Sequence, residues 1–106
     1  MVKTVNVKEL KQMMESGEDF QLIDVREQHE FDFANLNGEL IPLNSIMDNS
    51  DKIAEDKKVI IHCRSGARSG QAVLALQQQF GFDNLYNLEG GILAWSDEID
   101  PSVPKY

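Results

Sequence analysis

The sequence predicts an α/β fold built on a mostly parallel sheet. Short apolar runs alternate along the chain with segments of helical periodicity, the pattern of strands joined by crossover helices. Val59-Ile60-Ile61 is continuously apolar rather than alternating, as in a central strand covered on both faces. The 106 residues carry no internal repeat, low-complexity tract or linker, so residues 1–106 read as one domain.

Asn6 is placed to cap a first helix, Val7 to about Ser16, with Glu9 at the capping-box position. Val7, Leu10, Met13 and Met14 fall on one face of it, and Gly17 is its stop. Phe20 to Val25 reads as a strand ending at Asp24. Glu27 to Ala34 suits a short helix with Phe31 and Ala34 inward, and Arg26 and Glu30, four apart, are spaced to pair. Asn37-Gly38 marks a turn. Leu40 to Leu43 reads as a short strand limited by Pro42. Ser45 to Ala54 looks helical, with Ile46, Met47 and Ile53 inward and an interruption at Asn49-Ser50. After the Val59–Ile61 strand, Ala67 to Phe80 forms a helix that buries Ala72, Val73, Ala75, Leu76 and Phe80 and ends at Gly81. Leu85 to Leu88 is a last strand. Gly90-Gly91 turns the chain into a short helix, Ile92 to Glu98, around a packed Trp95. Pro101 and Pro104 leave a tail with little regular structure.

Hydrophobic residues make up 42% of the chain, which excludes a disordered polymer. A single cysteine permits no internal disulfide and no cysteine-rich metal site. Residues 1–6 hold no apolar run of the signal-peptide kind, and no stretch reaches membrane-spanning length. A reduced cytoplasm is the expected setting. The net charge of −8 speaks against nucleic acid and anionic membrane as partners.

Against that acidic background, His62-Cys63-Arg64-Ser65-Gly66-Ala67-Arg68-Ser69 is cationic. Cys63 stands where a buried strand gives way to a loop and then a helix. Unpaired N–H groups converge there, the helix dipole is positive, and a thiolate is favoured. A cysteine serving only to pack would gain nothing from a glycine and two arginines within five residues downstream. Ligands of such sheets bind beyond the carboxyl ends of the strands, so Asp24 and Cys63 are expected to face one site. His62, one residue away on a strand, should point away from the Cys63 side chain.

These residues resemble the rhodanese family of sulfurtransferases. Leu22-Ile23-Asp24-Val25-Arg26-Glu27 followed by Glu30-Phe31 resembles its first signature. Cys63 to Ser69 looks like its active-site loop, and Gly90-Gly91-Ile92-Leu93-Ala94-Trp95 like its closing motif. The resemblance implies a five-stranded, mainly parallel sheet flanked by helices on both faces. It also implies sulfur transfer through a persulfide on Cys63, with thiosulfate as donor and cyanide, a thiol or a sulfur-carrier protein as acceptor. The backbone of Arg64, Ser65, Gly66, Ala67, Arg68 and Ser69 is then expected to cradle the sulfur. Gly66 allows the curve, Arg64 and Arg68 attract the anionic donor, and Ser69 caps the helix or, as the alternative, donates to the loop. Asp24 and Arg26 are implied to be a structural ion pair beneath the site.

Dual-specificity phosphatases that resemble this fold need five residues between cysteine and arginine. Here four lie between Cys63 and Arg68, a cradle sized for sulfur. A non-catalytic interaction module, and a persulfide carrier fed by a cysteine desulfurase, are the competing readings. The Gly-His-Ile signature common in the family is replaced by the segment Ala34 to Leu43. That segment and the tail to Tyr106 are similar to the C-terminal rhodanese domain of adenylyltransferases that supply sulfur carriers.

Overall fold

The computed structural model describes residues 1–106. Its strands are β1 (Lys3–Val5), β2 (Phe20–Asp24), β3 (Glu39–Leu40), β4 (Lys58–His62) and β5 (Leu85–Leu88). Its helices are α1 (Val7–Ser16), α2 (Gln28–Phe33), α3 (Ala67–Phe80) and α4 (Gly91–Glu98). The strands form one sheet in the order β1-β5-β4-β2-β3, and every pairing is parallel. Asp24 pairs in register with His62, and Ile61 with Asn87, so the carboxyl ends of β2, β4 and β5 lie side by side.

Alternation along β4 divides the core into two layers. Val59, Ile61 and Cys63 join Ala72, Val73 and Leu76 of α3 on one face. Ile60 joins Val7, Leu10 and Met13 of α1 and Ile92 and Trp95 of α4 on the other. Helices therefore cover both faces, as the continuous apolar run of β4 requires.

Local chemistry sets the helix ends. Asn6 Oδ1 accepts from Glu9 N at 2.8 Å while Glu9 Oε1 accepts from Asn6 N at 3.0 Å, a reciprocal cap. Gly17 and Gly81 close α1 and α3 in the left-handed conformation.

Several expectations need correction. Lys3–Val5 is a strand that its three residues alone do not announce; its pairing with β5 makes it one. The expected Leu40–Leu43 strand is only Glu39–Leu40, because Pro42 has no N–H to give. Ile41 N and Leu43 N still bond back to the carbonyls of Asp24 and Val25. The helical segment expected over Ser45–Ala54 is two short 3-10 helices, Leu43–Ser45 and Met47–Lys52, and the interruption falls where it was expected, at Asn49. Phe80 is 51% exposed and Met14 37%, each at the margin of its helix's buried stripe.

Replacing Asn6 by alanine removes one side of the α1 cap. Urea unfolding should show a loss of about 1 kcal/mol.

Candidate active site

Cys63 follows the last residue of β4, and α3 begins at Ala67. Gly66 turns the chain between them at φ 108°, a left-handed conformation that a side chain would strain. The turn folds the start of α3 over the sulfur. Cys63 Sγ accepts from Gly66 N at 3.1 Å, Ser69 N at 3.4 Å and Ser69 Oγ at 3.3 Å. The residue is almost fully buried, at 1% exposure. Burial alone pushes the thiol up. The hydroxyl and N–H of Ser69 and the N–H groups of Gly66 and Ser65 outweigh it, and the thiol sits below its ordinary range.

The loop's shape is imposed from α4. The carbonyls of Cys63 and Arg64 accept from Ile92 N at 3.0 Å and Leu93 N at 3.1 Å. A β-carbon on Gly91 would stand 2.6 Å from the Cys63 carbonyl oxygen, so only glycine admits this approach. The closing Gly-Gly-Ile-Leu segment thus acts as the floor of the loop.

Ser69 is not a helix cap. Its hydroxyl lies within reach of Cys63 Sγ and of Asn87 Oδ1, and it carries one proton for the two. Asn87 in turn donates from Nδ2 to the Gly66 carbonyl at 3.0 Å. Sequence reasoning missed Asn87. Its only signal was a polar residue inside the apolar run of the last strand.

The two loop arginines are not free. Arg68 grips Glu30 through both terminal nitrogens, at 2.7 and 2.8 Å, and Glu30 accepts a further bond from the Tyr106 hydroxyl at 2.8 Å. This holds the Glu30 carboxyl well below its ordinary value, the Arg68 contact being the largest cause. Arg64 Nε donates to the Tyr106 main-chain oxygen at 2.7 Å, and its Nη2 shares that oxygen. Arg26 does not pair with the Glu30 carboxylate. It closes on Asp24 at 2.7 to 3.1 Å, both side chains fully buried. Glu30 and Tyr106 were therefore unanticipated neighbours of the loop, the latter because nothing in a proline-bearing tail shows where it docks.

Asp24 and Cys63 end adjacent strands but do not face one another. Asp24 is in register with His62, and their side chains share the opposite face, His62 Nε2 lying 3.6 Å from the carboxylate. Burial pushes the His62 imidazole below its ordinary value, and it makes no hydrogen bond to Cys63 Sγ. No cluster of three His, Cys, Asp or Glu side chains is arranged to hold a metal ion. No helix is long and apolar enough to cross a membrane.

Comparison with known proteins places these features in context. The model of the rhodanese-like domain matches residues 6–98. The chain is 33% identical over 106 residues to the probable adenylyltransferase/sulfurtransferase MoeZ of Mycobacterium tuberculosis, where it spans only 27% of that protein. It is 38% identical over 104 residues to a sulfurtransferase of Allochromatium vinosum, covering 97% of this chain and 96% of that one. Among solved structures, a rhodanese-like domain protein from Staphylococcus aureus superposes with a TM-score of 0.82 at 29% identity, over 99% of each chain.

Two outcomes are expected from the site's electrostatics. Ser69→Ala removes a donor to the sulfur, so alkylation of Cys63 by iodoacetamide at neutral pH should slow about several-fold and its pH profile should move upward. Glu30 has a depressed carboxyl, so its contribution to stability is complete above its ordinary value of 4.5 and is lost as pH falls below that. Glu30→Gln should cost about 1–2 kcal/mol at pH 7, allowing for the part-exposed Arg68, and the gap to wild type should narrow in acid unfolding.

Proposed function

The chain belongs to the rhodanese-like domain family, and from that premise we propose that it is a sulfurtransferase in which Cys63 carries the sulfur. The observation that carries the reading is the cradle: a buried sulfur facing two backbone N–H groups and a hydroxyl at the start of α3. The full-length similarity to a sulfurtransferase supports it.

In the proposed reaction the Cys63 thiolate attacks the outer sulfur of thiosulfate. The S–S bond of the donor breaks, sulfite leaves with its electron pair, and Cys63 becomes a persulfide anion. Cyanide, or a thiolate in the cell, then attacks the terminal sulfur and returns the Cys63 thiolate. Negative charge stays within the cradle in both half-reactions, so the donors of Gly66 and Ser69 serve the thiolate and the persulfide alike. The backbone of Arg64, Ser65, Ala67 and Arg68 completes the wall around that charge, aided by the positive end of α3. Ping-pong kinetics follow from the covalent intermediate.

A protein donor is a second reading, favoured by one observation. Both terminal nitrogens of Arg68 are engaged with Glu30, and two of the three nitrogens of Arg64 with Tyr106, which weakens the site for a small dianion. A cysteine desulfurase in the cytoplasm would deliver sulfur without needing those cations. The similarity to MoeZ makes a sulfur-carrier protein a candidate acceptor. A purely binding module would have no use for the cradle. A phosphatase is disfavoured by the four-residue spacing from Cys63 to Arg68 and by the ties on Arg68.

Thiocyanate formation from thiosulfate and cyanide tests the reading. Wild type should turn over, Cys63→Ser should fall by at least about a thousandfold, and an aryl phosphate should not be cleaved. Persulfidation of Cys63 by a desulfurase, seen by intact mass, with no thiosulfate turnover would favour the carrier. Neither signal would favour a binding module.

A further inference from the structure

Tyr106 is the one residue that touches both arginine systems of the loop. Its hydroxyl donates to Glu30 Oε2 at 2.8 Å and accepts from Arg26 Nη1 at 2.9 Å. Its main-chain oxygen takes Nε and Nη2 of Arg64. Its ring lies under the Arg64 guanidinium, 5.2 Å from centroid to Cζ, and meets the edge of Phe33 at 5.9 Å. The phenol is thus an anchor: it pins the tail to α2 and the buried Arg26, and the pinned tail presents the main-chain oxygen that holds Arg64.

We propose that Tyr106 is a specificity-determining positioning residue, which restrains Arg64 directly and braces the Glu30 carboxylate that holds Arg68, and so lowers the site's preference for dianionic sulfur donors over singly charged ones. The proposal rests on the sulfur-transfer reading and deepens it. Oxyanion recognition by arginine uses the paired N–H groups of the guanidinium fork. In Arg68 both terminal nitrogens are spent on Glu30, whose carboxylate also cancels the charge. In Arg64 the Nε–Nη2 edge is spent on the tail. A donor's sulfonate must displace these partners before it gains a fork. A donor with less charge to satisfy loses less by their being occupied.

Two donors separate charge from chemistry. Thiosulfate is a dianion and releases sulfite; benzenethiosulfonate is a monoanion and releases benzenesulfinate. Each gives the same Cys63 persulfide by attack on the outer sulfur, with the leaving group taking the bonding pair. Tyr106→Ala frees the tail and Arg64. Its kcat/KM for thiosulfate should rise about threefold or more, through KM, while benzenethiosulfonate changes less than about twofold. The gain should vanish at about 0.5 M salt, where charge is screened. Tyr106→Phe keeps the ring and cuts only the hydroxyl bonds, so it should move the ratio in the same direction by less, and it serves if the alanine variant does not fold. In the Cys63→Ser background, calorimetry should show thiosulfate binding about threefold tighter on Tyr106→Ala, with no chemistry involved. Parallel changes for the two donors, or an unchanged ratio and binding constant, would overturn the proposal and leave Tyr106 a structural residue. If wild type turned over neither donor and no desulfurase persulfidated Cys63, the sulfur-transfer reading would fail on its own, and the binding comparison would still decide the role of Tyr106.

Discussion

The hydrogen bonds from Ile92 and Leu93 to the carbonyls of Cys63 and Arg64 are the constraint on which the site depends. A trans peptide points its C=O and N–H in opposite directions. Fixing those two carbonyls toward α4 therefore turns the N–H groups of Arg64 and Ser65 away from α4. The left-handed turn at Gly66 then brings the Gly66 and Ser69 N–H groups onto the sulfur. Gly91 is indispensable to this arrangement, since its α-carbon packs where no β-carbon fits. A segment nearly thirty residues from the cysteine thus decides the cysteine's chemistry.

A second layer holds the loop from the side of β2 and α2. Asp24 and Arg26 form a fully buried pair, and Arg26 spends its remaining donors on the Ala34 carbonyl, the Glu30 carbonyl and the Tyr106 hydroxyl. Such a pair is tolerated in the interior because its donors and acceptors are matched; removing one partner would cost about 3–5 kcal/mol. Through Tyr106 and Glu30 this buried network reaches Arg68, so the loop's outer cation is tied to the sheet's interior.

Much of this was legible in the residues. The capping box at Asn6 and Glu9, the span of α3 and the two-sided burial of β4 follow from local chemistry and apolar periodicity. The first strand did not, because Lys3–Val5 acquires its pairing only from β5, more than eighty residues later. The Asp24–Arg26 pair was implied by the family resemblance and is found. The i, i+4 spacing of Arg26 and Glu30 suggested a different pairing, and the partner that Glu30 takes instead, Arg68, was illegible because it comes from a segment 38 residues away. Asn87 and Tyr106 carry no motif; their roles come from where β5 and the tail end.

These pieces decide how the site bears negative charge. The Glu30 carboxylate cancels Arg68, and Arg64 is an exposed cation, whose interactions are worth about 0–1 kcal/mol in water. Hydrogen bonds to a charged group contribute about 1.5–3 kcal/mol each, and the buried Cys63 Sγ has two backbone N–H donors besides the Ser69 hydroxyl, whose one proton it shares with Asn87. Dipoles therefore outweigh formal charges in stabilising a thiolate here. Dipoles held by backbone geometry would need no reorganisation if, in the proposed reaction, the charge moved one sulfur outward. They also favour a thiolate without binding every passing anion, which a pair of free guanidinium groups would do. The arginines are best understood as parts of the frame that keeps those dipoles aimed, with their charge largely turned to the protein rather than to the substrate.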